Sequence, residues 1–385
     1  MAKATTALVD RALRSVAHAA GEGIYLAQTA WRNHLFSEKY RRRIAQEHGR
    51  CCAGYAPPHE ALEAARRFLA SNFHGYSDLR WHELYWRVSG MVDAAYIPED
   101  IFYREIEPAL NAMDYVHVLT DKNECYNAPV APYLPEPVVH VIRGELYRPG
   151  FVRIGENEID TLLATSRDEF IVKPSTEHGG GRSLRMMDGP SAADFLRKEL
   201  RERHCGRCTD WTVQRRFEQC AAMAQFNPSS VNTYRVMTLR IDCDIQCISG
   251  LLRMGRSGMR VDNHAAGGVI CGIDGGRLRG RGIDRDYRIY AAHPDNGTPL
   301  DGEPPAYEEA VELCRELHRT MPWFDLISWD VAIDARQRPR IIEFNLQSQS
   351  IEIHQLTNGP LFGPEGSALL AAVLRRVAQA GQERR

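Results

Sequence analysis

Nothing in this chain approaches the ~20 continuous apolar residues of a membrane-spanning helix. The amino terminus also lacks the uninterrupted apolar core of a secretory leader, because Asp10, Arg11 and Arg14 break it. The expected location is therefore the cytoplasm. A formal charge of −2 leaves no cationic surplus, so neither nucleic acid nor an anionic membrane is an expected partner. The ten cysteines come without a secretory signal and fit reduced thiols better than a disulfide framework. One pair, Cys205-Gly206-Arg207-Cys208, has CxxC spacing, but no second pair stands at zinc spacing, and it reads more simply as a loop. No internal repeat is present, and no convincing Ser-His-Asp or Cys-His arrangement offers a nucleophile. What remains is ordinary for a globular protein: 44% hydrophobic and 25% charged residues over 385 positions, enough for two or three lobes.

Residues 1 to about 118 read mainly as helix. Alanine and leucine recur at helical spacing from Thr6 to Phe36, Pro57-Pro58 breaks the chain, and His59 to Phe73 is amphipathic. Pro98-Glu99-Asp100 has the acidic first turn of another helix start. Tyr115 to Leu119 then reads as β. Val138 to Ile142 and Glu145 to Tyr147 predict a hairpin around Arg143-Gly144. Ser191 is the expected cap of a helix running to about Arg203. Long strands follow at Val231 to Ile241 and Ile245 to Met254, a helix at Glu308 to Arg319, two more strands near the end, and a closing helix from Gly366.

Two stretches carry chemistry. The first is Phe170-Ile171-Val172-Lys173-Pro174, an apolar strand ending in a lysine, followed within a few residues by Gly179-Gly180-Gly181. Three glycines can turn their N–H groups inward together, which with a fixed lysine suits a polyphosphate. A plain hairpin turn with a solvated lysine fits the same residues. Unlike a Walker loop, this one joins two strands and does not open a helix. The second stretch is a strand pair. Period two puts Glu343 and Asn345 on one face and Ile342, Phe344 and Leu346 on the other. A hairpin register sets Asp330 of the partner strand beside them. Three oxygen ligands on one sheet face suit Mg²⁺, with Mn²⁺ as the alternative. Ordinary polar positions on a half-exposed sheet would look alike one motif at a time.

Taken together and in order, these elements resemble the ATP-grasp superfamily, most closely its sugar-transfer-associated branch. The resemblance spans roughly residues 96 to 363, through Tyr96-Ile97-Pro98-Glu99-Asp100, Asp121-Lys122-Asn123, Val172-Lys173-Pro174-Ser175, Gln214-Arg215-Arg216-Phe217, Ser230 to Thr238, Val261-Asp262-Asn263, Trp329-Asp330-Val331-Ala332 and Glu343-Phe344-Asn345. It implies an α+β ATP-grasp fold in which two lobes, about 137–212 and 213–385, clamp ATP behind a helical N-terminal region. Lys122 and Lys173 match the phosphate-contacting lysines, and Gly179, Gly180, Gly181 and Ser183 the phosphate-covering loop. Gln214, with backbone from Arg215 to Phe217, matches the adenine edge, and Glu218 a ribose contact. Asp330, Glu343 and Asn345 match the metal ligands. Arg235, Arg253 and Asn263 would grip the γ-phosphate or a substrate carboxylate. The chain departs from many relatives at Leu346-Gln347-Ser348-Gln349-Ser350, where they carry a Pro-Gly turn.

The activity the resemblance implies is an ATP-dependent carboxylate–amine ligase working through an acyl phosphate, with small-molecule acid and amine substrates, in polysaccharide or natural-product biosynthesis. A sugar or polyol kinase with Asp262 as base, and a non-catalytic nucleotide-binding partner, are the alternatives. His178, His264 and His354 lie near the motifs as structural groups or substrate contacts. Neither the substrates nor the oligomeric state is legible.

Overall fold

The computed structural model describes residues 36–73, 75–176, 184–202 and 210–383. The amino-terminal part of the expected helix from Thr6, the Gly179–Gly181 loop with His178 and Ser183, and the Cys205/Cys208 pair lie outside the described residues.

The chain enters as a helix over 36–51, followed by helices His59–Asn72 and Arg80–Ser89 and a helix that opens at Glu99 and contains a π turn at Phe102–Ile106. Their apolar stripes meet around aromatic side chains. Trp81 stacks on Tyr85 at 5.9 Å and Tyr85 on Tyr96 at 5.1 Å. The Tyr115 to Leu119 segment is not a strand. It lies in a helix, Met113–Leu119. The reason is spacing: Met113, Val116 and Leu119 recur every third residue, and those three pack against the core while Tyr115 and Val118 stay exposed.

The small lobe is an antiparallel six-stranded sheet: β1 Pro137–Ile142, β2 Glu145–Arg148, β3 Val152–Ile154, β4 Glu169–Pro174, β5 Arg185–Asp188 and β6 Trp211–Arg215, in the order β3-β2-β1-β6-β4-β5. Positive φ at Arg143 (51°) and Gly144 (74°) makes the expected β1–β2 hairpin. Helix Gly189–Glu202 packs on one face. Its cap is Asp188, whose carboxylate accepts the Ser191 amide at 2.8 Å, so Ser191 lies inside the first turn and is not the cap.

The large lobe is an eight-stranded sheet: β7 Thr233–Ile241, β8 Asp244–Met254, β9 Val269–Asp274, β10 Arg277–Ile283, β11 Ile289–Tyr290, β12 Asp301–Gly302, β13 Leu326–Ile333 and β14 Pro339–Asn345. Its main path runs β11-β10-β9-β8-β7-β13-β14, with β12 beside β10. Side-chain alternation sends Tyr234, Val236, Leu252 and Trp329 to one face, against helix Tyr307–Arg319. Met237, Leu239, Leu251 and Ile270 go to the other, against the N-terminal helices and helix Ile351–Asn358, an element the sequence reading did not anticipate. A bulge interrupts the β13–β14 register between Asp330 and Val331. It puts Ile341 with Phe344 and Leu346 in the core and leaves Ile342 outside it, which corrects the simple period-two reading of that strand.

Polar seams tie the helical region to the large lobe. Arg43 donates to Glu99 at 2.7 Å and to Glu352. Burial and the neighbouring Glu352 push the Glu99 carboxyl well up. The Gln355 amide pairs with both backbone groups of Ile97, each at 2.9 Å. Asn111 donates to the carbonyls of Leu326 (2.8 Å) and Leu346 (2.7 Å), stitching β13 to the end of β14.

Candidate active site

Two sets of charged groups face each other across the lobes. On the small lobe, Lys173 lies in the last two residues of β4 and Lys122 sits in the turn beside it. The turn is built locally: Asp121 accepts the amides of Asn123 (2.8 Å) and Glu124 (3.2 Å) and the Ser175 hydroxyl (3.0 Å). The Lys122 amide in turn donates to the Ser175 carbonyl at 2.8 Å. The two lysines are thereby held together. Burial pushes the Lys173 ammonium down to about 8, with the Lys122 charge helping and the carboxylate of Glu343 opposing. Glu343 belongs to β14 of the other lobe, so Lys173 and this carboxylate lie within electrostatic reach of one another.

Gln214 is buried on β6, between Pro137 of β1 and Ile171 of β4. Its Nε2 donates to the Tyr126 hydroxyl, which itself donates to the Pro135 carbonyl at 2.8 Å. The amide is thus oriented with Oε1 as its acceptor end. The neighbouring backbone is less open than the sequence suggests. The Arg215 amide donates to Glu136 (3.0 Å) and the Arg216 amide to Glu169 (2.9 Å), so neither of these amides is open to an adenine-like edge. Arg215 points its guanidinium at Glu136 and Asp168. Phe217 is half-buried and Glu218 exposed.

On the large lobe the register sets Asp330 opposite Glu343 and Ser328 opposite Asn345, and across β7 it sets Asp330 opposite Arg235. Asp330 is not a free ligand. It accepts from Arg235 Nη2 at 3.0 Å and from Arg253 Nη1 at 2.9 Å. Arg253 also donates to Asp262 at 3.1 Å, and Asp262 accepts from the Thr233 hydroxyl. The four ionic groups are buried, with two charges of each sign, and each has a partner, as buried charge requires. Asp262 is therefore committed to Arg253 and Thr233, which argues against a role as kinase base. Asn263 turns its carbonyl oxygen to the Ala265 amide at 3.0 Å as a local cap, outside this network. Burial pulls the His264 imidazolium down.

Among the described residues no group of three His, Cys, Asp or Glu side chains could by itself hold a metal ion. The donors are two carboxylates and an amide. Glu343 is exposed, and the Asn345 amide nitrogen is buried with no partner among the described residues. An amide so placed can present its oxygen by a half-turn. Hard oxygen donors on one strand pair suit Mg²⁺, provided Asp330 gives up part of its hold on the arginines. The residues fit such an ion. Thr233 and Ser249, absent from the candidate site residues, contact or border the network, and their sequence signal was alternation on β7 and β8 with the arginines; His354, expected as a structural group or substrate contact, reaches Ser249 from helix Ile351–Asn358. No helix of the described residues is long and apolar enough to cross a membrane.

A model of the sugar-transfer associated ATP-grasp family matches residues 102–367. No curated protein matches the chain. Solved structures similar to it include an N5-carboxyaminoimidazole synthase from Aspergillus clavatus in complex with ADP and 5-aminoimidazole ribonucleotide (8% identity, 70% of this chain, 54% of that one, TM-score 0.36). Others are the D-cycloserine synthetase DcsG (14%, 69% and 73%, 0.39) and a D-alanine–D-alanine ligase from Bacillus anthracis (10%, 70% and 70%, 0.34). The chain spans about half the length of the first of these. Superpositions this loose do not bear on the site, and the assignment rests on the family match.

Proposed function

The chain belongs to the sugar-transfer associated ATP-grasp family, and on that premise we propose that it is an ATP-dependent carboxylate–amine ligase, its clamp formed by lobes at about 137–212 and 213–385. What supports the reading is that Lys173 on the small lobe lies within electrostatic reach of Glu343 on the large one, beside the buried Arg235–Asp330–Arg253 bridge.

In this reading Lys122 and Lys173 hold the β- and γ-phosphates, with Gly179 to Gly181 and Ser183 covering them. Gln214 Oε1 accepts the adenine amino group. Asp330, Glu343 and Asn345 hold Mg²⁺ or Mn²⁺, which supplies charge neutralisation and a template for the phosphates. Arg235 and Arg253 orient the acid. One of its carboxylate oxygens attacks the γ-phosphorus, the bond to the β-bridging oxygen breaks, and ADP leaves. The amine nitrogen then adds to the acyl carbon, phosphate departs and the nitrogen loses a proton. The protein's contribution is positioning and preorganised positive charge. No nucleophilic side chain is required.

The test is incubation with ATP, Mg²⁺, hydroxylamine and pooled carboxylic acids, with ADP and hydroxamate measured. Hydroxamate supports the ligase. ADP with a phosphorylated sugar and no hydroxamate shows a kinase instead. Absence of ATP binding at millimolar nucleotide removes both.

A further inference from the structure

Helix Ile351–Asn358 lies on the same face of the large sheet as the arginine pair, at a place opened by Gly272 of β9. A Cβ there would stand 2.2 Å from the Asn358 side-chain oxygen. The helix brings His354, 1% exposed, onto Ser249 of β8. Ser249 shares its strand face with Arg253, and its neighbour across the ladder, Met237, shares one with Arg235.

The hydrogen bonds determine where the imidazole proton sits. Asn358 Nδ2 donates to the Gly250 carbonyl at 2.8 Å, which can only accept, so this end of the amide is nitrogen. The same Nδ2 donates to Ser249 Oγ at 2.9 Å. The Ser249 hydroxyl proton then has one acceptor within reach among the described residues, His354 Nδ1 at 2.8 Å. Burial, with Arg235 and Arg253 nearby, holds the ring at about 3, so it is neutral at physiological pH. A neutral ring accepting at Nδ1 carries its hydrogen on Nε2. That Nε2 is buried and has no partner among the described residues. A buried donor without an acceptor is costly, so its complementary occupant is an acceptor oxygen, and the Arg235 and Arg253 guanidiniums, balanced in this structure by Asp330 and Asp262, lie near enough to act on the ring. The Asp330 carboxylate already bridges those guanidiniums, so the pair has the shape for a carboxylate.

We infer that His354 Nε2–H is a substrate-binding donor that, with Arg235 and Arg253, receives the carboxylate of the acid substrate. The inference rests on the ligase reading for the word substrate, but the anion site itself does not. Ser249 and Asn358 act through His354 as positioning residues.

The direct test is ¹⁵N-histidine NMR on the full-length chain, with His354→Gln assigning the signal. The expected result is an Nε2–H tautomer that does not titrate near neutrality and whose Nε2 signal moves on addition of acetate. An Nδ1–H tautomer, or no response to acetate, overturns the proposal. A response to inorganic phosphate but not acetate also overturns it, by making the site a phosphate site. Kinetically, His354→Asn removes the Nε2 donor and should raise the KM for the acid about 10- to 100-fold with the KM for ATP unchanged. His354→Gln, which returns an amide N–H near that position, should recover part of the loss. Equal KM values in His354→Asn and the unaltered chain would refute the role. If His354→Asn does not fold, the acetate titration of the unaltered chain decides. If that chain forms no hydroxamate from any acid, the ligase reading falls while the acetate response still judges this site.

Discussion

Asp330→Asn is the most informative single substitution, because two accounts of Asp330 meet there. As an ion-pair partner it bridges two buried guanidiniums and, with Asp262, balances their charge; as a metal ligand it would matter only in the loaded state. In the structure its carboxylate accepts from Arg235 and Arg253 at 3.0 and 2.9 Å. Asparagine keeps the shape, removes the charge and replaces one acceptor oxygen with a donor facing a guanidinium. One charge-assisted bond is lost, about 1.5–3 kcal/mol, and the other weakens by about 1 kcal/mol. The cluster of Arg235, Arg253, Asp330 and Asp262 changes from neutral to +1 while buried. The sum, about 2.5–4 kcal/mol, overlaps the usual penalty for removing one partner of a buried pair. For a chain of this size that is a fall of about 4 °C in Tm. The assay is thermal and urea denaturation without nucleotide, alongside Mg²⁺-dependent ATP binding. Arg253 keeps Asp262 but Arg235 loses its bonded carboxylate, so adding Arg235→Met should recover part of the loss by restoring neutrality. If Asp330→Asn alone stays within about 0.5 kcal/mol of the unaltered chain, the range of surface substitutions, the buried bridge is not what organises this sheet face.

Lys173→Ala and Glu343→Gln should each abolish ATP turnover and leave the circular dichroism spectrum intact; near-normal activity in either shows that the site is misplaced. Because the Lys173 ammonium is lowered to about 8, ATP affinity should fall as pH rises through that value, as read by isothermal titration. Burial raises Glu107 from 4.5 to about 8, so from pH 4.5 upwards the folded state binds more protons than the unfolded one and stability drops until about pH 8. Glu107→Gln should flatten that part of the urea-midpoint curve, and an unchanged slope would refute it. Gly272→Ala would put a Cβ 2.9 Å from the Thr357 carbonyl oxygen and should cost about 1–3 kcal/mol on denaturation, with a shifted His354 NMR signal as the helix moves.

Much of this protein is legible along the chain. The β1–β2 hairpin follows from Arg143-Gly144 and the β13–β14 pair from alternating apolar residues and a short turn, whereas the Asp330–Glu343 register depends on the bulge between Asp330 and Val331, which alternation alone does not specify. The hairpin and the strand pair are local consequences of side-chain period and turn chemistry, which each segment carries with it. The family, too, was legible, because the order of its short motifs is a property of the chain alone.

What the sequence could not decide is which partner each polar group takes. Tyr115 to Leu119 has β-type residues, yet one buried face at a spacing of three makes it helical once a core lies beside it. Asp262 had the look of a base until Arg253 and Thr233 claimed it. Arg235 and Arg253 are held by Asp330 from strands far away in sequence. The proton on His354 depends on a serine 105 residues distant and on an asparagine that can bond in one way only. Hydrogen bonds and ion pairs are short-ranged and saturable, so these assignments come into being only when folding sets the partners within reach.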